Sequence, residues 1–285
     1  MRWDRGIEMS RVVLAGRTAV LATMHGKERV IAPALAGLGI TVEVASGLDT
    51  DRFGTFTREI ERTGSQREAA HHKAMAALAL TGGTLAVASE GSFGPHPSNL
   101  FVPVDREIVL LVDTASGLEV VGEHITIETN YARRQVANLA EAKEFARRVG
   151  FPDHGLVVES GDQRVKGIVE RSAFERAVSD ALAQGAPVFV ETDMRAMVNP
   201  TRMEAIAQAA RDLVVRLGAL CPRCAWPGFG VLDVLRGLAC AGCGLPTDLV
   251  RSVIEGCERC GYRQEAPPPG GRQLADPAHC HWCNP

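Results

Sequence analysis

Cys-Pro-Arg-Cys at 221–224, Cys-Ala-Gly-Cys at 240–243, Cys-Glu-Arg-Cys at 257–260 and Cys-His-Trp-Cys at 280–283 carry the strongest chemical signal in this 285-residue chain. A Cys-x-x-Cys turn presents two thiolates to one side of a metal, and two such turns complete the tetrahedral sulfur set that zinc favours. Eight cysteines, none before residue 221, therefore predict two structural Zn²⁺ ions held by Cys221, Cys224, Cys240, Cys243, Cys257, Cys260, Cys280 and Cys283. The intervening gaps are 15, 13 and 19 residues, and ribbon-type sites commonly leave about 15–20. Sequential pairing is the leading expectation, with an interleaved pattern as the alternative. Closed four-thiolate sites are structural rather than catalytic.

The cysteine-free part holds a different set of polar residues, placed just after apolar runs of strand length. Thr23-Met24-His25-Gly26-Lys27-Glu28 follows the run 18–23 and leads into a helical pattern. Backbone N–H groups and a lysine in such a turn can hold a phosphate, which makes Thr23 and Lys27 candidate substrate-binding residues. Asp49, Asp51, Glu59 and Glu61 follow the next apolar run, and Ser89-Glu90-Gly91-Ser92-Phe93-Gly94-Pro95-His96-Pro97 follows the third. An acidic residue flanked by glycines at a strand end suits a substrate or metal loop, so Glu90 is a candidate catalytic residue and Ser92 a candidate contact. Arg195 and Arg202, within Glu191–Arg202 before the last helix, are candidate clamps for phosphate or carboxylate. A basic anchor with several carboxylates is the equipment of Mg²⁺-assisted phosphoryl chemistry.

The stretch Glu61-Arg62-Thr63-Gly64-Ser65 with Glu68, Ala70, Lys73 and Ala74, followed by a strand and Glu90-Gly91, resembles the inosine/xanthosine triphosphate pyrophosphatase superfamily over about residues 18–95. The resemblance implies hydrolysis of a nucleoside triphosphate to monophosphate and pyrophosphate. It further implies that Glu68 and Glu90 hold Mg²⁺ or orient water while Lys27 and Lys73 neutralise phosphates. Ala69 stands where that superfamily has Asn, and the threonine-to-lysine spacing of the first loop is one residue short. The complete layout, with Glu-Gly-Ser-Phe-Gly-Pro-His-Pro, the 191–203 segment and four Cys-x-x-Cys pairs, also resembles an uncharacterised bacterial family. The alternative to an enzyme is a nucleotide-sensing or protein-binding zinc protein.

The elements that must position these residues alternate. Strands are expected at 18–23, 40–45, 84–88, 107–113, 118–128, 155–159, 164–170 and 187–191, with helices from about residue 30 and at 66–80, 138–149, 172–184 and 200 to about 217. Asn199 before Pro200 is the expected cap of the last. The order predicts an α/β domain over 10–218 with a mixed, largely parallel sheet flanked by helices, followed by a small zinc-binding domain over 219–285. Net charge is −3 and 46% of residues are hydrophobic, which excludes a mainly disordered chain. The cysteine region has six Arg against six acidic residues, and eight thiolates with two Zn²⁺ would leave it four charges more negative. Nucleic acid is therefore not the expected ligand, and a protein partner suits the zinc module better. No apolar run is long enough to cross a membrane and none resembles a secretory signal, so a cytoplasmic location is expected, with Met9 a candidate true start.

Overall fold

The computed structural model describes residues 14–48, 64–96 and 99–285, so Met9, Asp49, Asp51, Glu59 and Glu61 lie outside the described residues. Two compact units are present, Leu14–Val214 and Val215–Pro285.

In the first unit, β1 (Thr18–Ala22), β2 (Thr41–Val44), β3 (Leu85–His96), β4 (Asn99–Asp113) and β5 (Leu118–Thr126) form one sheet in the order β2-β1-β3-β4-β5. β1 runs parallel to β2 and β3, whereas β3–β4 and β4–β5 are antiparallel. A second sheet, β6-β9-β7-β8, is built from β6 (Arg133–Val136), β7 (Leu156–Ser160), β8 (Gln163–Ile168) and β9 (Val188–Thr192), all antiparallel. The expected largely parallel sheet is thus corrected to two mixed or antiparallel sheets. Only the β1 pairings are parallel, because β3, β4 and β5 follow one another through connections too short for a crossover.

The helices are α1 (Glu28–Ala36), α2 (Gln66–Thr81), α3 (Leu139–Arg148), α4 (Arg171–Ala183) and α5 (Pro200–Gly218). Ser65 starts α2 with a capping box: its hydroxyl accepts from the Glu68 amide, and the Glu68 carboxylate accepts from the Ser65 amide at 2.7 Å. Asn199 caps α5 as expected, its Oδ1 accepting from the Arg202 amide at 3.0 Å. α2 buries Ala70, Ala74, Ala77 and Leu78 against Ala22, Ala86, Ala88, Ile108, Leu110 and Val112. Alanines on both sides let helix and sheet approach closely. α3 and α4 cover the second sheet with Phe145, Ala146, Phe174 and Val178.

α5 comes closer still to the first sheet at Gly122. A Cβ there would sit 2.2 Å from the Leu213 amide nitrogen and 2.3 Å from the Ala209 carbonyl oxygen. Both obstacles are helix backbone and cannot rotate away. Gly122→Ala is expected to destabilise the chain by about 3 kcal/mol or more, in the range of severe overpacking, measurable by urea unfolding.

The strand expected at 84–88 continues to His96, and the segment expected as a loop is the outer half of a long β3–β4 hairpin. Its glycines are strand residues: Gly91 lies directly across from Glu107, and a Cβ on it would fall 2.2 Å from Glu107 Oε1 and 2.6 Å from Arg202 Nη2. A glycine inside a strand here marks a close approach, not a turn.

The second unit is a three-stranded antiparallel sheet of β10 (Gly230–Arg236), β11 (Val250–Gly256) and β12 (Arg263–Ala266), flanked by the Cys-x-x-Cys turns. No helix among the described residues is long and apolar enough to cross a membrane.

Candidate functional site

The strand order of the second unit decides which cysteines meet. Gly230 at the start of β10 pairs with Gly256 at the end of β11, so the turn before β10 and the turn after β11 lie at one end of the sheet. The 240–243 turn joins the other ends of these strands. β12 then runs back along β11, and the chain reaches the 240–243 turn again through a bridge between Cys240 and Ala275. Two groups result: Cys221, Cys224, Cys257 and Cys260, and Cys240, Cys243, Cys280 and Cys283. The interleaved pattern is the correct one, and sequential pairing is overturned because gap length carries no information about strand direction.

Both groups fit a metal ion such as zinc. Sulfur–sulfur distances are 3.7 Å for Cys221–Cys260 and for Cys224–Cys257, and 3.8 Å for Cys240–Cys283 and 3.6 Å for Cys243–Cys280. A tetrahedron with Zn–S bonds of about 2.3 Å has an edge of about 3.8 Å, whereas a disulfide would need about 2.05 Å. Amides of Arg223 and Gly242 donate to Cys221 Sγ and Cys240 Sγ, which places partial positive charge on the thiolates. In the first group the Arg259 guanidinium lies 3.8 Å from the centre of the Trp226 ring, tying the two turns together. His281, adjacent to Cys280, bonds Asp248 rather than joining the sulfur set.

The other site lies where β3 and β4 continue past the end of β1 in the first unit. Lys27, which precedes α1, is 7% exposed, and its ammonium donates to Ser89 Oγ at 2.9 Å. Among the described residues it pairs with no carboxylate. Burial lowers its pKa to about 8, with Arg202 and Lys73 adding to the shift and Glu107 and Glu90 opposing it. On the α2 side of β3, Lys73 forms a short ion pair with Glu90, both almost fully buried. Gln66 donates to the Arg106 carbonyl at 2.9 Å. On the opposite face, Arg202 donates from Nε to Glu107 Oε1 at 2.7 Å and from Nη1 to the Met194 carbonyl.

Asp105, two residues from Glu107 on the same face of β4, has no exposed surface. Among the described residues, no other residue donates to either of its oxygens or to Glu107 Oε2, and the two carboxyls lie within hydrogen-bond reach of each other. Phe93 stands directly across from Asp105 on β3, and burial followed by the charge of Glu107 raises the Asp105 pKa to about 8. Asp105 is therefore mostly protonated at neutral pH. Lys27, Lys73 and Arg202 thus face Glu90 and Glu107, with Asp105 adding little charge of its own. His25, half-buried after β1, registers this field: burial first, then Lys27, Arg202, Arg195 and Lys73 lower its pKa to about 4, so its ring is neutral.

Of the residues singled out in the sequence, Lys27, Lys73, Glu90 and Arg202 come together, and Thr23 is buried beside them with Oγ1 accepting from the His25 amide at 3.3 Å. Arg195 is held by Asp193 through Nε at 3.0 Å and Nη2 at 2.6 Å. Asp193 also accepts from the Gly167 amide, so this pair fixes the loop before α5. Glu68 is exposed and spent on its capping box. Ser92 is partly buried in a shallow groove shared with Gly94, Val104, Arg106 and Ile125. Asp105 and Glu107 are the residues that motif reading misses. Their signal is the alternation Val104-Asp105-Arg106-Glu107-Ile108-Val109, which puts both acids in line with Val109 and Leu111 on a buried face.

No curated protein and no solved structure matches this chain. Residues 73–285 match a family described as "Domain of unknown function (DUF6671)". That stretch contains both cysteine groups and, from the buried cluster, Lys73, Glu90, Asp105, Glu107 and Arg202. With three quarters of its length so matched, from within α2 to the last residue, the chain belongs to the DUF6671 family.

Proposed function

We propose that the Leu14–Val214 unit binds a nucleotide or another phosphorylated small molecule at the Lys27 cluster and hydrolyses its phosphoanhydride, releasing pyrophosphate, while two zinc ions hold the second unit. The observation that supports this most is the buried Lys27 ammonium, which donates to a hydroxyl and forms no ion pair among the described residues, Glu107 and Glu90 acting on it only at longer range. A buried cation without a direct ion pair is costly, and an incoming phosphate lowers that cost. Lys73 and Arg202 add charge from two other elements, and the site sits at the carboxyl end of parallel strands, where such ligands commonly bind.

Hydrolysis needs water to attack phosphorus as the bridging P–O bond breaks, with one proton leaving the water. We assign the acceptor role to His25. Its ring is neutral, chiefly through burial, and an arriving polyanion would offset the added effect of Lys27, Arg202, Arg195 and Lys73, raising its basicity on binding. Mg²⁺, which the superfamily resemblance implies, would supply neutralisation of the phosphate oxygens. Glu68 faces solvent and Glu90 is engaged by Lys73, so the residues that fit a hard cation are those with oxygens to spare. The likeness to triphosphate pyrophosphatases supports a nucleoside triphosphate as the substrate class.

Isothermal titration with a panel of nucleoside triphosphates and with inorganic pyrophosphate tests this reading. Wild type is expected to bind at least one, and Lys27→Met to weaken that binding about tenfold or more, the usual worth of a charge-assisted hydrogen bond. Release of pyrophosphate identifies the enzyme. Binding without turnover would establish the sensing role instead, and no binding to any member of the panel overturns both.

A further inference from the structure

Three buried oxygen atoms in the first unit, both of Asp105 and one of Glu107, face no donor from any other residue among the described residues; a proton shared between the two carboxyls is the one bond open to them. Buried polar atoms are satisfied in nearly all proteins, so a cluster of exceptions asks for the group that satisfies them. Several local features keep these oxygens available. Asp105 and Glu107 are separated by two residues on one strand face, about 7 Å along the chain. Gly91, directly across from Glu107, has no side chain and leaves the space that Glu107 and Arg202 occupy. Arg202 takes Oε1 of Glu107 only, orienting the carboxylate and leaving Oε2 over. Phe93 covers Asp105 from the neighbouring strand, and its ring lies 5.1 Å from the Arg202 guanidinium carbon and 5.6 Å from the centre of the Tyr131 ring. His124 stands across from Glu107 on β5.

We propose that Asp105 and Glu107 are ligands of a divalent cation of the Mg²⁺ or Mn²⁺ class, oriented by Arg202. Two carboxylates are a common protein contribution to such an ion, water or phosphate oxygens supplying the remainder. The donors are all oxygen, which favours hard cations and separates this site from the two thiolate groups. An arginine bonded to a liganding carboxylate is the kind of outer partner that fixes ligand orientation. The proposal deepens the phosphate-binding reading, because a cation here would lie beside Lys27 and Arg202, but it does not need a nucleotide to be tested.

The test uses Mn²⁺ alone, added to the zinc-loaded full-length chain and followed by the loss of the free-ion electron paramagnetic resonance signal. Wild type is expected to take up one Mn²⁺ per chain. Asp105→Asn, which keeps shape and removes the charge, is expected to weaken uptake at least about tenfold, on the scale of losses at metal sites. Glu107→Gln serves as the second variant, with circular dichroism establishing that each is folded. Wild type that leaves Mn²⁺ free, or an Asp105→Asn chain that binds it as well as wild type, overturns the proposal. Nucleotide binding without Mn²⁺ uptake would leave the phosphate reading standing and remove this one.

Discussion

Replacing both Cys221 and Cys257 with serine is expected to remove one zinc per chain, the same loss as either replacement alone. Replacing Cys221 and Cys240 is expected to remove both. The contrast follows from membership: Cys221 and Cys257 share one sulfur group, whereas Cys221 and Cys240 stand in different ones. Sequential pairing would produce the reverse result. Total zinc by atomic emission, together with the thiolate-to-cobalt absorption of Co²⁺-substituted protein, reads the outcome. The effect on folding is large, because structural zinc in small domains contributes about 10–16 kcal/mol of apparent binding free energy at neutral pH. The second unit has little else to hold it. Cys221, Cys240, Cys257 and Cys280 are themselves among its few buried apolar side chains, with Leu238, Val253 and Ala275. Chelation should therefore unfold Val215–Pro285 while the two cores of Leu14–Val214 keep their far-ultraviolet circular dichroism.

The second large effect has the opposite sign. With no divalent cation added beyond zinc, Asp105→Asn is expected to stabilise the chain at pH 7 by a few kcal/mol. Burial and Glu107 raise the Asp105 pKa from 3.8 to about 8 in the folded protein, so folding takes up a proton between those values. An acid with a raised pKa makes stability fall as pH rises from about 4, and the loss levels off above about 8. Every tenfold gain in proton affinity on folding corresponds to about 1.4 kcal/mol. Asparagine has no proton to take up, and its amide can donate to the spare oxygen of Glu107. The stability difference between variant and wild type should vanish near pH 4, widen to about pH 8 and stay constant beyond. Urea unfolding at several pH values measures it, and a difference that does not change with pH would show that Asp105 ionises normally. A residue whose removal strengthens the fold is retained for something other than the fold.

Much of the first unit is legible from the order of apolar runs. β1, α2, α3, α4 and β9 fall within a residue or two of where periodicity puts them, and the Asn199 cap follows from Asn-Pro before an amphipathic stretch. The distal β3–β4 hairpin is not legible, since Gly91, Gly94 and Pro95 read as breakers. Only the side chains of Glu107 and Arg202, distant in sequence, explain why position 91 must be glycine. Sheet direction is legible only in part: the short Ala115–Gly117 link marks β4 and β5 as an antiparallel hairpin, but with residues 89–97 read as a loop, β3 and β4 do not look like one. The cationic half of the site shows itself through Lys27 and Arg202, which lie near helix starts. Its acidic half does not, because Asp105 and Glu107 lie inside a strand, where charged residues ordinarily face water.

The interleaving of the sulfur groups has a consequence for synthesis. As the chain emerges from the ribosome, the 240–243 turn appears while Cys221 and Cys224 still lack their partner turn. At about 5–20 residues per second, the 14 residues from Cys243 to Cys257 open an interval of about one to three seconds in which the only available four-thiolate site is a wrong one. Early metal capture by those four thiols would form a knot of non-native ligands that the β10–β11 hairpin must later undo. The length and direction of β10 and β11 thus act as a proofreading step, driving the two ligand pairs to opposite ends of a sheet once β11 has emerged, just as Cys257 becomes available.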